Sequence, residues 1–179
     1  PETARESIVN GLAQCVDGPG QVHRWESCRL KQDGTQLWVR ETGHLVSLPD
    51  SNGPAILVVS EDITDTYNLA RDLKYQASHD ALTGLYNRRE FESRMQQALD
   101  GAKATGAEHA ICYLDLDQFK VINDTAGHLA GDELLRQLAV AFKDRMRKTD
   151  VIARLGGDEF GVLVQRCTVE QATTLAQSL

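Results

Sequence analysis

Apolar side chains recur along the chain at two spacings, which predict helices where the period is near 3.6 and strands where it is 2. Residues 1–20 carry an amphipathic helix pattern that the Gly18-Pro19-Gly20 breaker closes. Three strand-like segments follow, at residues 21–31, 36–48 and 54–60. Turn signals separate them, at Asp33-Gly34 and at residues 50–53. These segments predict an antiparallel meander that needs further chain to cover its apolar face.

A helix is predicted after the meander, over residues 64–79, because the apolar positions follow a helical spacing from Ile63 onward. The positions are Ile63, Tyr67, Ala70, Leu73 and Ala77. This seam covers about two heptads, whereas a coiled coil is recognised from about three to four. An ordinary connecting helix and a short coiled coil therefore both remain open.

The rest of the chain predicts the order helix, strand, helix, hairpin, helix. Asn87 and Glu90 form a capping-box pattern at the start of the first helix, and a buried strand is predicted over residues 109–117. A glycine-containing turn is expected over residues 125–131, before a long amphipathic helix, and Thr168 with Gln171 is expected to cap the last helix. This order predicts an α+β fold with helices packed on one face of a sheet.

The length and net charge of the chain limit how many domains it can form and which partners it can bind. The 179 residues suffice for one or two domains, and the net charge of -7 argues against a nucleic-acid duplex or an anionic membrane as the main partner. No apolar run approaches the ~20 residues of a membrane span. We therefore expect no membrane contact within this segment and a cytoplasmic location, with any anchor upstream of Pro1. The four cysteines lack metal-ligand spacing, as is typical of a reducing compartment.

Acidic residues stand where two predicted strands end. Gly156-Gly157 indicates a tight hairpin turn, from which Asp158 and Glu159 emerge. Such a pair is either an acidic surface hairpin or a cation site. Asp115 and the aspartate two residues later end the earlier strand, and their carboxylates can share a face. If the two sites meet around Mg²⁺, with Lys120 nearby, they form the parts of a metal-dependent phosphoryl-transfer site.

The N-terminal third resembles the C-terminal half of a PAS sensor domain. The matching residues are Glu26, Arg29, Asp33-Gly34, Trp38-Val39 and Asp62-Ile63-Thr64. The resemblance implies that residues 1–63 sense a signal, although the part of a PAS fold that forms most of the ligand pocket is not in this chain. No ligand is therefore assigned to this segment.

Four spaced motifs in residues 80–179 are similar to those of the GGDEF diguanylate cyclase family. They are Asp80-x-Leu82-Thr83-Gly84-Leu85-x-Asn87-Arg88, Leu114-Asp115-Leu116-Asp117-x-Phe119-Lys120-x-Ile122-Asn123-Asp124, Gly127-His128-x-x-Gly131-Asp132 and Arg154-Leu155-Gly156-Gly157-Asp158-Glu159-Phe160. The resemblance implies a sheet of the kind shared with nucleotidyl cyclases and polymerase palms, here without the family's last segment. It also implies that two GTP are condensed to cyclic di-GMP with loss of two pyrophosphates, between two copies of the domain.

The same resemblance implies roles for individual residues. Mg²⁺, or Mn²⁺ in its place, would be bound by Asp115, Asp158 and the Leu116 carbonyl. Glu159 or Asp158 would help to deprotonate the attacking 3′-hydroxyl. Lys120 would meet the phosphate charge that develops in the transition state.

Substrate binding is implied for a second group of residues, Phe119, Asn123, His128, Asp132 and Gly157. Asn123 and Asp132 would contact the guanine edge, whose N1–H and N2–H₂ donors suit a carboxylate. Capping of the following helix is the alternative role for these two residues.

Arg147 and Asp150 match the family's RxxD product-inhibition site. Arg147 offers a bidentate fork to phosphate or to the guanine Hoogsteen edge, and Asp150 can accept guanine donors. An RxxD sequence alone also describes solvated charges at a helix end. Its position shortly before Gly156 favours the inhibitory interpretation.

The sequence therefore predicts a PAS-regulated, homodimeric diguanylate cyclase, with a partial PAS domain at 1–63, a signalling helix at 64–79 and a GGDEF domain at 80–179 truncated at its end. The expected partners are GTP, cyclic di-GMP and a second copy of the chain, and nucleic acid is not among them. The chain by itself need not be active. The main rival is a GGDEF domain without turnover that binds GTP or cyclic di-GMP and regulates a downstream phosphodiesterase. The third hypothesis is a module that only dimerises and senses a signal, without binding nucleotide for catalysis.

Overall fold

The computed structural model describes residues 2–18, 20–47 and 53–178. Two compact units are present, Pro1–Leu73 and Lys74–Leu179, and the boundary between them falls inside a helix. Residues 50–52 of the turn predicted at residues 50–53, and Pro19 of the predicted breaker, lie outside the described residues. None of the described helices combines the length and the apolar character that crossing a membrane requires.

The first unit is a three-stranded antiparallel sheet between two helices in sequence. Its elements are α1 (Glu2–Asp17), β1 (His23–Leu30), β2 (Gln36–Ser47), β3 (Pro54–Asp62) and α2 (Thr64–Ser78). The strand order β1-β2-β3 confirms the predicted meander, and α1 packs against the strands.

Trp25 anchors this packing. Its ring lies against Gly11 of α1 and Gly43 of β2, where a side chain in place of either hydrogen would meet the indole. The indole Nε1 donates to the buried carboxylate of Glu41 at 2.8 Å, and Arg29 donates to the same carboxylate. The buried acid is therefore paired and hydrogen-bonded, as a buried charge must be.

The predicted seam of α2 is packed only at its beginning. Ile63, directly before the helix, is buried, and the ring of Tyr67 stacks on Trp38 with centroids 3.7 Å apart. Ala70, Leu73 and Ala77 are exposed. Most of the apolar seam is therefore accessible in the single chain.

The second unit is a four-stranded mixed sheet with helices. Its elements are β4 (Tyr86–Asn87), α3 (Arg88–Thr105), β5 (Ala110–Asp115), α4 (Phe119–Ala126), α5 (His128–Arg145), β6 (Val151–Gly156), β7 (Glu159–Val164) and α6 (Val169–Ser178). The strand order is β4-β6-β7-β5, in which β7 runs antiparallel to both of its neighbours and β4 runs parallel to β6.

Helices cover both faces of this sheet, so the prediction of helices on one face is wrong. Alternate residues of β6 and β7 enter two separate cores. The first core holds Phe119, Leu135, Phe142, Ile152, Phe160 and Val162, together with residues of α6. The second holds Phe91 of α3 with Val151, Ala153 and Leu163. The two inner strands are apolar on both sides, and such strands must be covered twice.

The expected turn at residues 125–131 is also wrong, because helix occupies nearly all of it. Thr125 and Ala126 belong to α4, and His128 already belongs to α5. Gly127 alone breaks the two helices, with φ 84°. The capping signal at Asn87 is confirmed, since its side chain accepts the Glu90 N–H at 3.0 Å.

Candidate active site

A glycine turn joins β6 to β7 and sets the direction of the acidic residues after it. Gly156 and Gly157 have φ values of 148° and 54°, which residues that carry a side chain rarely adopt. Asp158 follows at the turn with a half-buried side chain, and Glu159 begins β7 with an exposed one. The local sequence therefore folds into the hairpin that its two glycines predicted.

Asp115 and Glu159 are brought together by the pairing of β5 with β7. They are direct partners in the antiparallel register. Both line a cavity of about 220 Å³, together with Arg88, Tyr113, Leu114 and Leu155. Asp158 is not among the residues that line this cavity. Of the two acids at the turn, Glu159 is thus the one that shares a cavity with Asp115.

Arg154 donates hydrogen bonds to the turn that follows it. Its Nε and Nη2 donate to the Gly157 carbonyl at 2.9 and 2.7 Å. Its Nη1 donates to the two carboxylate oxygens of Asp80 at 3.3 and 3.4 Å. A guanidinium is a rigid planar fork, so these contacts fix the position of the turn relative to Asp80.

Asp80 is itself held in place by hydrogen bonds. The Thr83 N–H and hydroxyl both donate to Asp80 Oδ1, at 2.9 and 2.7 Å. Burial of the carboxyl raises its pKa, but the bonds from Thr83 and the charge of Arg154 outweigh that effect. The net result is a pKa below the ordinary value, so the charged form is favoured in the fold.

A second arginine reaches the same turn from α3. Arg88 Nε donates to the Leu155 carbonyl at 2.9 Å, and its Nη2 lies 3.1 Å from Glu159 Oε2. Asn87 caps the helix directly before it, which fixes where the arginine side chain begins. Two arginines therefore contact the hairpin, Arg154 from within β6 and Arg88 from α3.

The donor set at this cavity suits a magnesium ion. Mg²⁺ in nucleotide sites is typically bound by one or two carboxylates, with phosphate and water completing its shell. Asp115 and Glu159 supply two carboxylates, and Leu116 lies directly after Asp115. The Leu116 carbonyl accepts the Phe119 N–H at 3.2 Å and keeps one lone pair. Among the described residues, no group of three or more acidic, histidine or cysteine side chains forms a metal cluster of its own.

Four of the five residues expected to bind the nucleotide, all but Gly157, lie on α4 and α5, which pack against each other. Gly131 is buried, and a side chain there would collide with Asn123 Oδ1 and the Phe119 ring. Asp132 follows as the fifth residue of α5 with a half-buried side chain, and it does not cap the helix. Asn123 lies inside α4. The capping alternative therefore fails for both residues.

Lys120 and His128 lie at the surface of the same region. Lys120 is exposed in the first turn of α4, and His128 is the exposed first residue of α5. Neither has an ion pair among the described residues. Both side chains are accessible to a ligand.

Arg147 and Asp150 share a separate cleft of about 390 Å³. The other polar residues lining it are His79, Tyr86, Lys143 and Lys148. The Asp150 carboxylate accepts the N–H groups of Arg147 and Gln165, at 3.1 and 3.3 Å. Asp150 thus fixes the loop, and the cleft presents mainly cationic groups.

Three residues near the turn had no role assigned from the sequence: Asp80, Arg88 and Arg154. All three lie inside the motifs that carry the family resemblance, which was the available signal. Their contacts with Leu155 and Glu159, and with each other, join residues that are 67 to 74 positions apart. Local sequence patterns do not show which residues meet when they lie so far apart in the chain, so these contacts could not be predicted from the sequence.

Comparison with known proteins places this geometry in a family. The model of the family described as "Diguanylate cyclase, GGDEF domain" matches residues 77–179. The chain is 48% identical over 132 residues to a protein named "Probable diguanylate cyclase DgcE" of Escherichia coli strain K12, covering 74% of this chain and 12% of DgcE. It is 42% identical over 108 residues to the cyclic di-GMP phosphodiesterase PdeB of Shewanella oneidensis, covering 60% of this chain and 12% of PdeB.

Solved structures show the same fold. The coiled coil and GGDEF domain of DgcB from Caulobacter crescentus, in complex with c-di-GMP, match with a TM-score of 0.62 at 28% identity. The match covers 64% of this chain and 60% of that one. The chain spans only about an eighth of the length of DgcE and of PdeB. From the match over residues 77–179, this chain belongs to the GGDEF family of diguanylate cyclase domains.

Proposed function

We propose that this protein is a diguanylate cyclase, which condenses two GTP into cyclic di-GMP and releases two pyrophosphates. The observation that carries the proposal is the register of β5 on β7, which sets Asp115 opposite Glu159 beside the glycine turn. Two facing carboxylates at a shared cavity are what a nucleotide-bound divalent ion needs. Similarity to DgcE, which is named for this activity, supports the same reaction.

The acids of the turn and of β5 would divide the work between them. Asp115, the Leu116 carbonyl and a turn acid, Asp158 or Glu159, would hold Mg²⁺, which Mn²⁺ could replace. The bound ion would neutralise charge on the phosphate oxygens. Whichever of Asp158 and Glu159 is not a ligand would accept the proton of the attacking 3′-hydroxyl. Lys120, exposed at the start of α4, would meet the developing phosphate charge.

The guanine base would bind along the junction of α4 and α5. Asn123 and the carboxylate of Asp132 offer acceptors for the guanine N1–H and N2–H₂ groups. Phe119, Gly157 and His128 would complete the nucleotide site. The Asn123 amide lies against Gly131, which directly precedes Asp132 in α5. This close contact supports the assignment, because it keeps the amide near Asp132.

Each domain would hold one GTP, so the reaction needs a second copy of the chain facing the first. The exposed apolar residues Leu69 and Leu73, one turn apart on the same face of α2, offer a surface through which two copies can pair. The PAS-like first unit would then regulate the cyclase through this helix. Cyclic di-GMP would inhibit by binding at Arg147 and Asp150, in the cleft to which lysines add positive charge.

A second candidate function is a GGDEF domain without turnover that binds GTP or cyclic di-GMP and regulates a phosphodiesterase domain. The similarity to PdeB, which is named a phosphodiesterase, favours it. The two candidates share the nucleotide site and differ only in whether the 3′-hydroxyl attacks.

Incubation of the full-length protein with GTP and Mg²⁺, followed by chromatography for cyclic di-GMP, tests the proposal. We expect product from the wild type and none from Asp115→Asn or Glu159→Gln. Asp144→Asn is the matched control, since Asp144 is exposed on α5 and has no partner among the described residues. GTP binding without product in the wild type would reject the cyclase and support the regulator.

A further inference from the structure

Arg88 places a positive charge inside the cavity of the two facing carboxylates. Among the six described residues that line the cavity, it is the one cation, and Asp115 and Glu159 are the two anions. Its Nη2 is bound to Glu159 and its Nε to the Leu155 carbonyl. Its Nη1 has no protein partner among the described residues. One edge of the guanidinium is therefore fixed and the other is available.

The two negative charges of Asp115 and Glu159 explain why the cavity needs a cation even without a ligand. Like charges directly opposite each other on neighbouring strands repel. Arg88 offsets that repulsion by pairing with Glu159. The two side chains are 56% and 52% exposed, so solvent screens the pair and a stronger cation can displace the arginine.

We propose that Arg88 exchanges partners during nucleotide binding. It neutralises Glu159 in the empty site, and it moves to the phosphate oxygens of the nucleotide when a divalent ion takes Glu159. This inference rests on the proposed function, because it requires a metal–nucleotide site at Asp115 and Glu159. A guanidinium suits both states, since its fork matches carboxylate and phosphate oxygens equally.

Partner exchange predicts two effects of opposite sign when the charge of Arg88 is removed. Without nucleotide, Arg88 competes with the divalent ion for Glu159, so its loss tightens ion binding. With nucleotide, Arg88 supports the phosphates, so its loss weakens nucleotide binding. A purely structural role, in which Arg88 only holds the hairpin at Leu155, predicts weaker binding of both.

The test measures Mn²⁺ binding to the full-length protein by electron paramagnetic resonance, without nucleotide. It then measures the affinity for 3′-deoxy-GTP, which cannot condense, by calorimetry at saturating Mn²⁺. We expect Arg88→Gln to bind Mn²⁺ about two- to tenfold more tightly than the wild type, and 3′-deoxy-GTP about three- to tenfold more weakly. Arg89→Gln is the matched control, because Arg89 is exposed and unpaired among the described residues.

Arg88→Gln keeps an amide donor for the Leu155 carbonyl, whereas Arg88→Ala does not, so comparing them separates charge from hairpin support. Mn²⁺ affinity that is unchanged or weaker in Arg88→Gln, with a wild-type site that binds Mn²⁺, overturns the exchange and leaves the proposed function standing. Failure of the wild type to bind Mn²⁺ and 3′-deoxy-GTP overturns both. If Arg88→Ala unfolds, Arg88→Gln decides alone.

Discussion

Arg154 contacts Asp80 across 74 residues of sequence, with Nη1 3.3 and 3.4 Å from the two carboxylate oxygens. The arginine and the aspartate side chains are 14% and 24% exposed, so the pair is largely removed from solvent. The same guanidinium binds the Gly157 carbonyl. The segment that directly follows α2 is thus joined by side chains to the turn that carries Asp158.

Replacing Asp80 with asparagine should destabilise the second unit. The substitution keeps the shape and removes the charge that Arg154 needs, so we expect a loss of roughly 1–3 kcal/mol in the free energy of unfolding. Urea denaturation followed by circular dichroism measures this loss. Asp144→Asn is the control and should change stability by less than about 0.5 kcal/mol. Equal stabilities of the two variants would contradict the role given to Asp80.

The contribution of Asp80 should also depend on pH. Its pKa is lower in the folded chain than the ordinary value of 3.8, so the charged carboxyl stabilises the fold at pH values above the unfolded pKa. This contribution is lost as the pH falls through the folded pKa. The difference in unfolding free energy between the wild type and Asp80→Asn should therefore be constant at pH values well above 3.8 and shrink as the pH falls below about 4. Urea denaturation at each pH measures it, and a difference that stays constant at every pH would argue against the charge.

Two glycine-to-alanine changes in helices should have opposite effects. At Gly131 a methyl group would collide with Asn123 and Phe119, so Gly131→Ala should cost about 1–3 kcal/mol and weaken GTP binding. At Gly101, inside α3, no atom lies near the added methyl group, and Gly101→Ala should stabilise by about 0.5–1 kcal/mol. Thermal unfolding and GTP titration test the pair. Normal GTP affinity in Gly131→Ala would contradict the proposal that Asn123 recognises the guanine base.

Removal of the Arg147 side chain should relieve inhibition by cyclic di-GMP. The guanidinium would bind product phosphate or base with two donors, so Arg147→Ala should raise the half-inhibitory concentration about tenfold or more, without a comparable loss of initial rate. Initial-rate assays with added cyclic di-GMP measure both. Arg145→Ala is the control, because the Arg145 guanidinium donates to the Ala141 carbonyl and does not line that cleft. Unchanged inhibition in Arg147→Ala would contradict the proposal that cyclic di-GMP inhibits by binding in this cleft.

Strong local signals made much of the fold predictable. The meander followed from turn residues between strand-like segments, and the hairpin followed from two glycines between apolar runs. A strand was predicted over residues 109–117 from its apolar run, and the observed strand, β5, covers Ala110–Asp115. The helix α4 was not predicted, since eight residues after Gln118, whose φ is 64°, are too few to show a clear period.

The candidate site was predictable only as a set of residues. Which turn acid shares a cavity with Asp115 depends on the register of β5 on β7, and a shift by one residue would exchange Asp158 for Glu159. The arginines at positions 88 and 154 were visible in the motifs. Their partners were not, because the contacts are set by tertiary packing.

Both tryptophans of the chain, Trp25 and Trp38, lie in the first unit. One indole donates to Glu41 between α1 and the sheet, and the other stacks on Tyr67 at the start of α2. Intrinsic indole fluorescence therefore originates in the first unit alone, while the second unit contributes tyrosine. GTP titration monitored by this emission would give an optical measure, without any label, of whether added GTP changes the surroundings of Trp38 at the start of α2.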